Sequence, residues 1–239
     1  MKEEKSLSES LATTISQEKV NILSDLGEIA LDSILEGGLL RDIPFVSTAV
    51  SLYRIGKSVH EREQIKKLAS FLDEIRLHTV DESEREEYLR KIRDNPKKRD
   101  KELEYALVII DRYIGYDKPR MLAKMYLAYL REEVDWDEFA VFSEVIDRLL
   151  PNDYPALLDA NYNYIARDGL GSEPYLRLAA LGMIYEKSSD PPYIPYGTGD
   201  NAGIFFNSST FDRAYRNEKV YKRTDFGNKF VRIIEGKEK

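Results

Sequence analysis

His60 and Glu61 stand side by side in a segment with helical spacing, the beginning of an arrangement that would bind zinc if a second histidine followed four residues after the first. Gln64 occupies that position, and the other histidine, His78, falls at a helix end, where a cation suits the dipole. Carboxylates are plentiful, Glu82, Glu84, Glu86 and Glu87 among them, but they lie among arginines as on a solvated helix face. The chain has no cysteine, which excludes thiolate chemistry and disulfides and fits a reducing compartment. No serine lies in a nucleophile-elbow context. Gly197-Thr198-Gly199-Asp200-Asn201-Ala202-Gly203 has the glycine density of a phosphate loop. Such a loop works by following a strand and opening a helix, so that backbone amides face the phosphate. Here it follows Pro191-Pro192-Tyr193-Ile194-Pro195 with no Lys-Ser/Thr after it, and reads as an exposed loop. The sequence predicts no catalytic residue, no cofactor, no metal and no small-molecule substrate. That is the profile of a binding or regulatory protein, not an enzyme.

If the chain acts through surfaces, its aromatic and cationic residues are the ones to weigh. There are 16 tyrosines and 9 phenylalanines. Stacking platforms for single-stranded nucleic acid need interleaved cations. Tyr126 and Tyr129 lie among aliphatic neighbours, so core packing is the reading there. Tyr154, Tyr162 and Tyr164, at a junction between two parts of the chain, are candidate protein-interface residues. Tyr193 and Tyr196, in the Pro- and Gly-rich loop, join them. Arg177, Arg213, Arg216, Lys219, Lys222 and Arg223 are the candidate nucleic-acid contacts.

Net charge is −7 over 239 residues. From Arg167 onward there are 12 Lys/Arg against 10 Asp/Glu, a net of +2, which leaves −9 for the first 166 residues. An acidic body does not attract nucleic acid, whereas a faintly basic tail is compatible with it. The most apolar run, Ile43 to Tyr53, is about half the ~20 residues a membrane span needs. No transmembrane helix and no signal peptide is expected, and the predicted location is cytoplasmic.

The elements that position these residues are mostly helices. Residues 1–20 are polar and read as a flexible N-terminus or marginal helix. A helix is predicted from Lys19 to Leu35, ended by Gly37-Gly38. A second starts at Asp42 with Pro44 in its first turn and continues through Lys57 to Leu77, with Ile65, Leu68, Leu72 and Ile75 as its apolar stripe. Further helices are predicted over Glu82–Ile92, from Lys98, and from Asp117; Asp135 with Glu138 forms a capping box for another. Tyr154 to Arg167 reads as a helix, followed by a helix ending at Gly182, a strand Met183–Glu186, a long loop, a strand Val220–Arg223 and a helix capped by Thr224. The expected fold class is mainly α: a helical bundle over 21–153, then a winged-helix-like α+β domain over 154–239.

Leu178-x-x-Leu181-Gly182-x-Ile184, followed by Tyr221-x-x-Thr224-x-x-Gly227, resembles the signature that ends many bacterial winged-helix domains. The stretch Ile34 to Thr48, with Gly37-Gly38 and Asp42-Ile43-Pro44, leads to Lys57-Ser58-Val59 and then Lys66-Lys67-Leu68-x-x-Phe71-Leu72. It resembles the start of a group of bacterial proteins in which these features recur. With the winged-helix ending, the overall plan looks like the abortive-infection alpha family. That resemblance implies bacterial antiviral defence or a prophage setting, through a protein partner or self-association, and it supplies no catalytic residues. Two alternatives stand beside it: a winged-helix DNA-binding regulator, and a membrane-perturbing effector using the Gly37-Gly38 hairpin. Glu28, Asp32, Glu36, Arg41 and Asp42 make insertion of that hairpin costly.

Overall fold

The computed structural model describes residues 6–16, 43–52, 59–78, 82–160, 164–166, 173–187 and 219–236. The predicted helix Lys19–Leu35, the Gly37-Gly38 turn, the glycine-rich loop at 197–203 and residues Tyr162, Tyr193, Tyr196, Arg213 and Arg216 lie outside them. The described part is mainly helical, with ten helices and a three-stranded sheet, and the chain divides into two units, Met1–Asp147 and Arg148–Lys239.

The first unit is helical throughout its described residues. α1 (Leu7–Ser16) belongs to the core and is not a loose leader. Leu7, Leu11 and Ile15 recur every four residues and are all but inaccessible, packed against the next helices. Its polar residues are also engaged. Ser8 donates its backbone N–H to Asp100 Oδ1 (2.8 Å), and Phe45 donates its own to Thr14 Oγ1 (3.1 Å). These tertiary bonds order a segment whose composition alone reads as marginal.

α2 (Pro44–Leu52) opens with the proline in its first turn, as the sequence predicts. α3 (Val59–Leu77) buries Ile65, Leu68, Leu72 and Ile75. α4 (Glu82–Asp94) stops where Asn95 and Pro96 begin α5 (Pro96–Arg112). The Asn95 side chain accepts from Lys98 N at 3.2 Å, so this helix starts two residues earlier than its apolar spacing indicates. α6 (Asp117–Leu130) packs along α3, and α7 (Trp136–Arg148) opens on the expected capping box. Glu138 N donates to Asp135 Oδ1 (2.8 Å) and Asp135 N donates to Glu138 Oε2 (3.3 Å). Phe71, Tyr126, Phe139 and Phe142 fill the centre, where each fully buried side chain contributes roughly 1.5–3 kcal/mol. Gln64 Nε2 and Lys67 Nζ both donate to Asp111 O, at 3.3 and 3.0 Å, serving a carbonyl at the end of α5.

The second unit begins with α8 (Asp153–Asp159) and continues with β1 (Tyr164–Ala166), α9 (Glu173–Ala180), β2 (Ile184–Lys187), β3 (Lys219–Arg223) and α10 (Asp225–Glu235). The helix expected over 154–167 stops at Asp159, and Tyr164-Ile165-Ala166 form a strand instead. A pairing partner more than fifty residues away decides this. Tyr164 sits opposite Tyr221 on β3. The sheet order is β1-β3-β2, antiparallel throughout, with Ile184 opposite Arg223 and Tyr185 opposite Lys222.

Two glycines make the corner between α9, β2 and α10. Gly182 lies at φ 71°, and the two amides at that turn close onto α9, Gly182 N to Ala179 O and Met183 N to Leu178 O, both 2.9 Å. Gly227 lies so close to β2 that an added Cβ would be 2.1 Å from Met183 O. Thr224 locks the joint: its Oγ1 donates to Gly182 O (2.7 Å) and accepts from Gly227 N (3.0 Å), capping α10.

Candidate functional site

Of the six cations expected to meet nucleic acid, four lie among the described residues; of these Arg177 is the one on a helix, and its guanidinium turns to Asp153 of its own unit. Its Nη2 and Nε donate to Asp153 Oδ1 at 2.6 and 3.1 Å, with Nε also 3.2 Å from Oδ2. The Asp153 carboxylate is fully buried and additionally accepts Leu150 N at 2.8 Å. The pair therefore ties α9 to α8, and its bonds push the guanidinium pKa further up. The residues of α9 that face outward are Glu173, Leu176 and Ala180: an acid and two apolar groups. Leu176 is 54% exposed, and on the adjoining β2 Tyr185 is 48% exposed. Lys222 and Arg223 follow each other on β3, and Lys219 opens that strand.

Tyr154, expected at an interface, is half-buried and donates its hydroxyl to Glu235 Oε1 at 2.5 Å, joining α8 to α10. Burial and then this bond raise its pKa, with Arg223 nearby acting in the opposite direction. Tyr164 is placed by β1. The aromatic pair that packs this unit is a different one. Tyr175 and Tyr221 stack at 5.3 Å between centroids and 17° between planes, both buried.

The most site-like geometry is in the first unit, among residues that spacing alone assigns to the core. Tyr129, Trp136, Phe139 and Tyr105 form a cluster of edge-to-face and tilted ring pairs with centroids 5.1–6.4 Å apart. Arg99 lies 5.2 Å over the Tyr129 ring, and Arg99 and Tyr129 both donate to the buried carboxylate of Glu102, at 2.5 and 2.7 Å. Beside this cluster opens a cleft of about 550 Å³ with Tyr129 and Trp136 in its wall and Arg90, Lys91, Lys98 and Arg99 around it. The cations come from α4 and α5 and the rings from α6 and α7, so only folding brings them together. Sequence reasoning missed this place. The signal was the run Arg90 to Lys101, which holds seven Lys/Arg against Asp94 and Asp100. It is concealed when charge is summed over the acidic stretch before it.

Three acids line the cleft, Asp94, Glu132 and Asp135, and the last two are engaged. Glu132 meets Lys91 at 3.2 Å, Asp135 caps α7, and nearby Asp100 accepts Ser8 N. Glu132 is also the one non-glycine among the described residues with positive φ, 64°. It occupies the left-handed position at the end of α6, where Glu132 N and Glu133 N close onto Tyr129 O (3.0 Å) and Ala128 O (2.9 Å).

Among the described residues no group of three or more His, Asp or Glu side chains could hold a metal ion, and no helix is long and apolar enough to cross a membrane. No family model matches the chain, and neither a curated protein nor a solved structure matches it.

Proposed function

We propose that this protein is a non-enzymatic interaction protein of a bacterial phage-defence or prophage system, and that its second unit is a winged-helix-like module used for protein contact. The sheet order β1-β3-β2, with α9 entering β2 through Gly182 and α10 leaving β3 through Thr224, supports the module reading. The observation that carries the choice of partner is the outer face of α9. A helix that reads base edges presents several Arg, Lys, Asn or Gln groups. This one presents Glu173, Leu176 and Ala180, while Arg177 is clamped to Asp153. Leu176 and Tyr185 are the apolar contacts such a face offers a protein partner or a second copy of the chain. The defence setting rests on the sequence resemblance.

Plating a panel of phages on bacteria producing the chain tests this directly. The wild-type chain lowers plating efficiency. Leu176→Asp with Tyr185→Asp restores it while leaving the unfolding midpoint of the purified protein unchanged. Protection that survives both substitutions overturns the contact surface. Protection lost with Lys222→Glu and Arg223→Glu, together with salt-dependent retention on duplex DNA, would favour the DNA-binding regulator instead. Leakage of liposomes would favour the membrane-perturbing reading.

A further inference from the structure

The acidic first unit carries one strongly basic corner. Between Arg90 and Lys101, where α4 turns into α5 through Asn95 and Pro96, seven cations face two acids within twelve residues. Arg90, Arg93, Lys97, Lys98 and Lys101 are exposed. Arg90, Arg93, Lys97 and Lys101 make no ion pair with any described residue, and Lys98 reaches Glu102 at 3.6 Å. Of the two acids, Asp100 is committed to the start of α1. Five solvated cations held around a bend, with Asp94 among them, Glu87 near Arg90 and Glu102 near Lys98, leave a net positive corner that favours an anionic partner.

The corner opens directly into the aromatic cleft, which shares Arg90, Lys98 and Asp94 with it. A second groove of about 530 Å³ along α4 is lined by Arg90 and Arg93, by Arg85 paired to Glu82, and by Glu86 and Asp94. The cleft's contribution is Trp136 and Tyr129. Cations alone would suit any polyanion. Cations interleaved with aromatic rings suit one whose anionic backbone carries flat apolar groups. A membrane surface fits poorly, because none of the exposed large apolar side chains falls between residues 82 and 101, leaving nothing there to enter a bilayer. A duplex keeps its bases stacked inside, out of reach of a cleft wall. We propose that the α4–α5 corner and its cleft bind single-stranded nucleic acid, with Arg90, Arg93, Lys97, Lys98 and Lys101 along the phosphates and Trp136 and Tyr129 meeting unstacked bases. This binding is a property of the first unit and is independent of what the second unit contacts.

The test uses a natural reporter, since Trp136 is the single tryptophan of the chain. Titrating the full-length protein with unlabelled oligothymidylate of about 20 nucleotides, at about 50 mM salt, quenches its tryptophan fluorescence as a base stacks. The same affinity, followed by anisotropy of a labelled oligonucleotide, falls with salt at a log–log slope of about −3.5 for five phosphate contacts. Arg93→Glu with Lys97→Glu reduces the magnitude of that slope by about 1.4 and weakens binding about tenfold or more, with the unfolding midpoint held. Trp136→Ala weakens binding about fivefold or more, and Trp136→Phe recovers most of it. Three results overturn the proposal: no binding at low salt, duplex DNA bound as tightly as the single strand, or polyglutamate or anionic vesicles competing as well as the oligonucleotide. Binding without quenching, unchanged in Trp136→Ala, also overturns it by removing the base from the cleft.

Discussion

Glu132 is a side chain in a place made for glycine. A left-handed residue with a Cβ costs roughly 1 kcal/mol, and the closed turn after α6 holds it there. The compensating contact, Glu132 to Lys91 at 3.2 Å, is solvated on the Glu132 side, and such pairs contribute little. Glu132→Gly is therefore expected to stabilise the protein by about 0.5–1 kcal/mol in urea unfolding. It also removes a negative charge from the rim of the aromatic cleft, so single-strand affinity should rise with it. Destabilisation by this substitution would show that the carboxylate matters more to the fold than its geometry indicates. Sequence alone does not reveal such a position, because nothing around Arg131-Glu132-Glu133 marks the turn as left-handed.

α3 contains a second local conflict, between an amphipathic helix and the charges on its packed side. Asp73 is nearly inaccessible, and its carboxyl pKa is held above the ordinary value, chiefly by burial; Arg120 and Arg76 pull it down and Glu74 adds to the rise. The unfolded chain loses this proton near pH 3.8, and the folded one only at higher pH. The folded state thus binds the proton more tightly. Its advantage is full below the unfolded value and is lost as pH rises through the folded one. Asp73→Asn should raise the unfolding midpoint at neutral pH, and the gain should vanish toward about pH 4. An unchanged difference across that range would mean that the carboxylate is compensated by its arginines. At this scale the elements were largely legible. The α3 stripe, the Asp135–Glu138 box and the Thr224 cap are written in local spacing. The exceptions were α1 and β1, which exist because of partners far away in the chain, Asp100 and Phe45 for one and β3 for the other. The candidate site followed the same rule. Arg177 has the right residue type, yet Asp153, twenty-four residues earlier, determines where it points.

For the molecule as a whole, division into two units predicts separable unfolding. Gly227→Ala forces a Cβ against the Met183 carbonyl, a backbone atom with little room to yield, and should cost about 2–3 kcal/mol. In a thermal or urea scan that loss should move the transition of Arg148–Lys239 and leave the one reported by Trp136 in place. A single transition displaced as a whole would show that the units fold as one. Bulk charge is a poor guide at this scale: a net of −7 conceals a corner of seven cations among twelve residues.

The burial of α1 has a practical corollary for anyone trimming this protein. A chain shortened past Ser16 strips the amide of Phe45 of its acceptor and strands the Asp100 carboxylate. It also uncovers the sides of α2, α4 and α5 that Leu7, Leu11 and Ile15 had sealed. The opening residues behave as a plug, and a cut there should turn the helical unit into a sticky, protease-sensitive species.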